Sequence, residues 1–364
     1  MSPAACAWLR DQHASRLHRQ TGDRFRWERI RPAVESKVEP GAAVAGTELF
    51  IISGYRTLAQ VSNLIEIFDL ERECWKTPLA LPEHFPNSHH GLCSDGTRYL
   101  YLAGGQIGPQ SGPCTAKAQV FDAVKRTWSP LPPLPQPRYA PIAELLDGRL
   151  HIVAGAMPDR YTHADEHWSL RVADGRALES AWRVEPPIPH GGHHRASAVV
   201  DGQLYSLGGQ ERDVRPIPGD PNFTCDWSTP DEILYADVFA YCPRQRAWRT
   251  CAPMPEMASH AEFSSFAQGR FIWIFGGIAD RRTLKSAIQA YDIRTDRWKV
   301  VGRHPYPIKG HVAVAHAGNV FSFCGQRSVS PGNLFPGDVL ASGWKARLPD
   351  LEALFEAERP QGRG

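Results

Sequence analysis

Residues 190–209 read HGGHHRASAVVDGQLYSLGG. From Ala196 onward the stretch holds an alternating apolar run, Asp201-Gly202, a second apolar run and the stop Gly208-Gly209. Asp-Gly between two such runs is a β-hairpin signal. Ahead of the hairpin, three histidines and an arginine crowd the point where the first strand begins. Recurrence of the hairpin decides the fold, and the role of the histidines decides the function.

The hairpin recurs. A small-residue pair closes an apolar strand at Ser53-Gly54, Gly104-Gly105, Ala154-Gly155, Gly208-Gly209, Gly276-Gly277 and Cys324-Gly325. The spacing is about fifty residues, with one longer interval after Gly209. A strand such as LIEIFD, AQVFD, DVFAY or AIQAYD follows, degenerate in the third copy. Then come a Trp and a proline-containing exit: CWKTPLALP, TWSPLPPLP, AWRVEPPIP, AWRTCAPMP and RWKVVGRHP. The Trp series is Trp75, Trp128, Trp182, Trp248 and Trp298, and a sixth member, Trp27 in RFRWERIRP, precedes the first pair instead of following the last. Six four-stranded units with one displaced outer strand describe a ring closed by its two ends, which removes free sheet edges. The Trp27 strand is therefore expected in one sheet with residues 312–341, although Trp344 in DVLASGWKARLP competes for that place.

The Gly pair, the apolar residue before it and the Trp about twenty residues on resemble kelch repeats. The resemblance spans roughly residues 24 to 345 and implies an all-β, six-bladed β-propeller over 24–347. Residues 1–23 are left as an N-terminal arm compatible with a helix, and 348–364 as a short helical tail. Kelch propellers serve both as enzymes and as protein-binding modules, so the fold alone does not choose.

Composition narrows the classes. A net charge of +2 argues against nucleic acid or an acidic membrane as an obligate partner. No apolar run reaches membrane-spanning length, and MSPAACAWLRDQHASRLHRQTGD lacks the apolar core of a signal peptide. The eight cysteines show no CxxC and no regular spacing, which predicts free thiols in a cytoplasmic monomer.

Aligning the six units on the hairpin-turn glycine places Glu39, His89, Pro141, Arg195, Glu262 and His311 seven residues earlier. Nine residues earlier stand Lys37, Asn87, Tyr139, His193, His260 and Lys309. Residues two apart share a strand face, so one face is polar beside the central channel. Chance would place about half a histidine in these twelve positions; four are present.

Imidazoles converging with a carboxylate suit a transition metal, copper or iron. His89, His193, His260 and His311 are the expected ligands, and a one-residue slip would substitute His90 and His194. The site also resembles galactose oxidase, a kelch-type copper enzyme with a Tyr-His ligand pair at the start of an innermost strand. Here His193-His194 takes a similar place, with Tyr139 in the previous blade, but that enzyme's extra domains and Tyr-Cys cofactor have no counterpart.

Long loops follow the Gly pairs on the same side. Gln106, Gln210 and Gln326, with Arg212 and Arg327, are expected to form a collar around a polar or anionic small molecule. Three readings stay open. The first is a small-molecule enzyme, a metal-dependent oxidoreductase or metal-assisted lyase or cyclase, with Glu262, Tyr139, Arg195 and Glu39 as catalytic groups. The second resembles the kelch-type sialic-acid mutarotases and uses Glu39, Glu262 and the histidines for acid–base work without metal. The third is a protein-interaction module using Tyr161, Phe223, Trp227 and Phe335 on the same loops.

Overall fold

The computed structural model describes residues 24–57, 59–83, 85, 88–110, 112–213, 232–279, 283–329 and 337–356. Six antiparallel sheets follow one another in sequence, each a blade. Blade 2 shows the plan: Gly91–Ser94, Tyr99–Ala103, Ala118–Asp122 and Thr127–Leu131, from innermost to outermost strand. Blades 1 and 3 follow it with their outer strand split in two pieces.

The small-residue pair is a backbone requirement. Its first residue is left-handed in every blade, with φ of 55° at Ser53, 57° at Ala154 and 63° at Cys324, so serine, alanine and cysteine are tolerated. Its second residue has φ between 93° and 99° and is always glycine. A Cβ on Gly155 would stand 2.6 Å from the Tyr139 carbonyl oxygen, so only glycine fits there. The kink frees that glycine's N–H for the next blade. Gly105, Gly155, Gly209, Gly277 and Gly325 donate 2.8 Å bonds to the carbonyls of Arg138, Gly192, Ala258, Ile308 and Lys37. The last bond joins blade 6 to blade 1.

The recurrent tryptophan is the second inter-blade tie. Nε1 of Trp75, Trp182, Trp248 and Trp298 donates to the exit of the preceding blade, at Arg31, Pro132, Pro186 and Ala252. Trp27 does the same for blade 6, donating to Arg303 at 2.9 Å. Blade 6 itself consists of Val312–His316, Asn319–Phe323, Gly343–Arg347 and the N-terminal strand Glu28–Ile30. Glu28 pairs Lys345 and Ile30 pairs Gly343, so Trp344 lies in the third strand and does not displace the N-terminal one.

Apolar clusters lie between every pair of neighbouring blades, and Leu49, Ile51 and Phe68 of blade 1 pack on Val312, Phe321 and Phe323 of blade 6. Both faces of each sheet are thus covered, which is why strands such as FIWIF are apolar throughout. A helix, Leu351–Glu356, docks Leu351 and Phe355 against blades 5 and 6 beside Phe25. Of the expected tail, 348–350 precede the helix without helical structure, and 357–364, like the arm 1–23, lie outside the described residues. Cys74, Cys93, Cys114, Cys242, Cys251 and Cys324 are free thiols; Cys6 and Cys225 lie outside the described residues. Among the described residues no helix is long and apolar enough to cross a membrane.

Candidate functional site

Each blade opens on a left-handed residue: Glu39, His89, Ala140, His194, His260 and Gly310, with φ between 44° and 58°. The residue before it pairs with the segment after the Gly pair, as His193 does with Gln210 and Tyr139 with Ala156. Left-handed geometry breaks the two-residue alternation on which the expected faces rested. The distance from this residue to the hairpin turn also varies among blades. The true column therefore unites Glu39, His89, His194 and His260. Arg195 and His311 stand one residue later in their blades, outside this column.

Four side chains from this column, with Lys309, Tyr139, Arg160, Asp213 and Glu262, form a polar pit. Glu39 stands 2.9 Å from His89 Nε2, 2.8 Å from Lys309 Nζ and 3.5 Å from His260 Nε2. The His194 and His260 rings stack at 3.7 Å, and His89 stacks on Tyr139 at 4.3 Å. His194 Nδ1 bonds Glu262. Asp213 accepts from Arg160 at 2.7 Å and from the Tyr139 hydroxyl at 3.1 Å.

Burial raises the Glu39 carboxyl, but Lys309 and His89 outweigh it and hold it well below the usual range. Burial likewise opposes charge on Asp213, and Arg160 outweighs it. Desolvation pushes His89, His193 and His260 down, so these imidazoles are neutral. His194 is the exception: burial lowers it, yet Glu262 raises it above the ordinary value. Three carboxyl groups, Glu39, Asp213 and Glu262, thus face Lys309, Arg160 and His194 respectively.

Several expected site residues are built into the scaffold. Arg195 bonds Ser206, the Gly191 carbonyl and Asp237, all within blade 4 and its approach. His311 is buried beneath Gly325, and burial lowers it to about 3. His90 packs between Phe85 and Phe263. The glutamines of the expected collar are engaged within the protein, except that Gln210 Nε2 has no hydrogen-bond partner. Gln106 bonds Tyr55, Pro109 and Arg160, Gln210 accepts from Ser259, and Gln326 donates to Gly337. Arg327 is buried against Asp338 and the Tyr306 ring, whereas Arg212 is exposed. Burial holds the Tyr139 hydroxyl well above its ordinary value. The four-histidine metal set is also not assembled, since His311 lies apart from the pit. Among the described residues, the group with metal-ligand proximity is His193, His194 and Asp213.

Asp213 and Arg160 join the pit without any motif in the sequence to announce them. The only signal for them is a charged residue in a long loop on the mouth side. Tyr161 is among the described residues, while Phe223, Trp227 and Phe335 lie outside them. A cavity of about 20 Å³ beneath the pit, between Glu39, His89, Glu262 and His311, has room for about one water. Deeper in the channel a cavity of about 200 Å³ is lined by small residues with Glu144, Ser197 and Ser265.

The sequence profile described as KLHDC2/KLHL20/DRC7 Kelch-repeats domain matches residues 40–268. A kelch repeat-containing protein of Arabidopsis thaliana is 35% identical over 330 residues, covering 89% of this chain and 76% of that protein. The chain belongs to the kelch-repeat family. The Kelch-like protein terF of Aspergillus terreus is 25% identical over 297 residues, 78% of this chain and 59% of its own length. Kelch-like protein 23 of Homo sapiens is 23% identical over 283 residues, 75% of this chain and 43% of its own.

These relatives correct the expectation of a small-molecule enzyme. They bear the names of kelch-repeat and Kelch-like proteins, and none names an enzymatic activity. The kelch pit agrees with them physically. Its ionised groups face one another in pairs, Glu39 with Lys309 and His89, Asp213 with Arg160, and Glu262 with His194. A small-molecule substrate is therefore withdrawn as the partner, and the interaction-module reading fits better.

Proposed function

We propose that this kelch propeller is a protein-interaction module that takes its partner on the loop face around the pit. The observation that carries this reading is the exposed apolar side chains there. Val34, Ile233 and Val329 are 56%, 40% and 46% exposed. Val34 follows the strand end at Ile30, and the other two follow Gly pairs, so strand direction puts all three on the mouth side. Exposed Arg56 and Arg212 stand on loops of the same side. Apolar anchors rimmed by arginine suit a protein surface. The free thiols support a reducing, cytoplasmic location.

The test is cross-linked affinity capture from the source cell, comparing wild type with a Val34→Asp, Ile233→Asp, Val329→Asp triple variant. Val124→Asp, on a turn of the opposite rim, serves as control. Partners kept by wild type and the control but lost by the triple variant support the proposal. Partners that the triple variant retains equally, or no protein retained above background, overturn it.

A further inference from the structure

The pit contains a feature that partner binding does not explain. His193 is fully buried, and neither of its ring nitrogens has a hydrogen-bond partner. His194 is 1% exposed, and its Nε2 has no hydrogen-bond partner either. A buried imidazole without partners is costly, about 1–3 kcal/mol for each unsatisfied group. One donor atom from each of His193, His194 and Asp213 lies within 4.8 Å of the others.

We infer that His193, His194 and Asp213 form a binding site for one divalent transition-metal ion of the zinc class. Two imidazoles and a carboxylate are a ligand set zinc accepts, with a fourth position left open. Tetrahedral ligands stand ~3.4 Å apart at Zn–N and Zn–O distances of about 2.0–2.1 Å, so small side-chain rotations close the set. The surroundings are arranged for it. His194 Nδ1 faces Glu262, which fixes the tautomer and turns Nε2 inward, the carboxylate–histidine–metal arrangement. Asp213 is oriented by Arg160 and Tyr139.

The backbone holds the two histidines rigidly. His193 exchanges both backbone hydrogen bonds with Gln210, at 2.9 Å each, three residues before Asp213. The metal would therefore cross-link the opening of blade 4 to the start of the loop after its second strand. This site differs from the four-histidine set expected from the alignment, and it does not depend on the partner reading.

The test is titration of chelator-stripped full chain with Zn²⁺, followed by metal analysis after dialysis. Wild type is expected to hold one equivalent. His193→Ala and the near-isosteric Asp213→Asn should bind at least a hundredfold more weakly, and Glu262→Gln, which loses only the orienting carboxylate, 10–100-fold more weakly. Circular dichroism confirms folding, and if His193→Ala fails to fold, Asp213→Asn decides between the outcomes. Co²⁺ in place of Zn²⁺ should give d–d absorption without thiolate charge transfer, which excludes the free cysteines as ligands. Wild type that retains no zinc, a thiolate band with Co²⁺, or an Asp213→Asn variant that binds as tightly as wild type would overturn the inference.

Discussion

Lys37 and Glu66 are both fully buried at the seam where blade 6 meets blade 1, with 3.1 Å between Nζ and Oε1. Lys37 also bonds Ser62, and its backbone accepts from Gly325 and donates to Leu340. Burial raises the Glu66 carboxyl, and Lys37 opposes that rise. Lys37→Met keeps the length of the side chain but leaves a buried carboxylate without its cation, a loss of about 3–5 kcal/mol. A propeller of about 320 residues unfolds with an entropy of roughly 0.7 kcal/mol/K, so Tm should fall by about 4–7 °C at pH 7.5. The double variant Lys37→Met, Glu66→Leu removes both charges and should recover most of that loss. The sign of the pH dependence follows. Glu66 in Lys37→Met has a folded pKa above its unfolded one, so the deficit is full at high pH. It shrinks as pH falls through that raised value and is gone near the ordinary carboxyl range, about 4.3. The assay is calorimetry of the three proteins between pH 5 and 8. A single variant within a degree of wild type, or a double variant no better than the single, would refute the argument.

Two further outcomes follow from buried groups elsewhere. Glu144, in the channel wall beside Ser197, has its carboxyl pushed up to about 7 by burial. The folded state therefore holds a proton that the unfolded chain releases near 4.5, and stability falls as pH rises from about 4.5 through 7. Glu144 is only partly buried and lines the channel cavity, so the drop should be about 1–2 kcal/mol, below the ~3 kcal/mol of a sealed group. Glu144→Gln should flatten that part of the Tm–pH curve. Trp248→Phe removes the 3.0 Å bond to the Pro186 carbonyl between blades 3 and 4. It should lower stability by about 1–2 kcal/mol in thermal melts, and an unchanged Tm would mean that the repeated tryptophan acts through packing alone.

The propeller is legible in the sequence because its signature residues answer backbone demands that nothing else can meet. Gly54, Gly155 and Gly325 must be glycine at φ near 96°, so the pair survives in blades where its first member is serine, alanine or cysteine. The displaced Trp27 reveals the closure, because its indole repeats the inter-blade bond of the other members. The mouth is only half legible. Counting back from the hairpin turn assumes unbroken alternation, and one left-handed residue per blade defeats it. The count reaches Glu39, His89 and His260, finds His194 only as a register alternative, and includes Arg195 and His311, which stand one residue beyond the left-handed position. Asp213 and Arg160 reach the pit from loops, where no periodicity tells which way a side chain turns.

Left-handed geometry at the mouth has a physical consequence for the face. Each non-glycine residue held there costs about 1–2 kcal/mol, and five of the six positions are not glycine. Such strain persists only where the surroundings over-determine the conformation. Here the backbone does so from blade to blade: Glu39 donates to Gly310, Ala140 to His89 and Gly310 to His260, at 2.8 to 3.0 Å. Blades 3 and 6 carry alanine and glycine at the position and add no chemistry. Blades 1, 2, 4 and 5 carry Glu39, His89, His194 and His260, whose side chains the turned backbone directs into the pit and not into the inter-blade cores. At these four places the constraint comes from the pit itself, where His194 stacks on His260, His89 stacks on Tyr139 and Glu39 meets Lys309. The glycine kinks and tryptophan ties hold the ring independently of these four side chains.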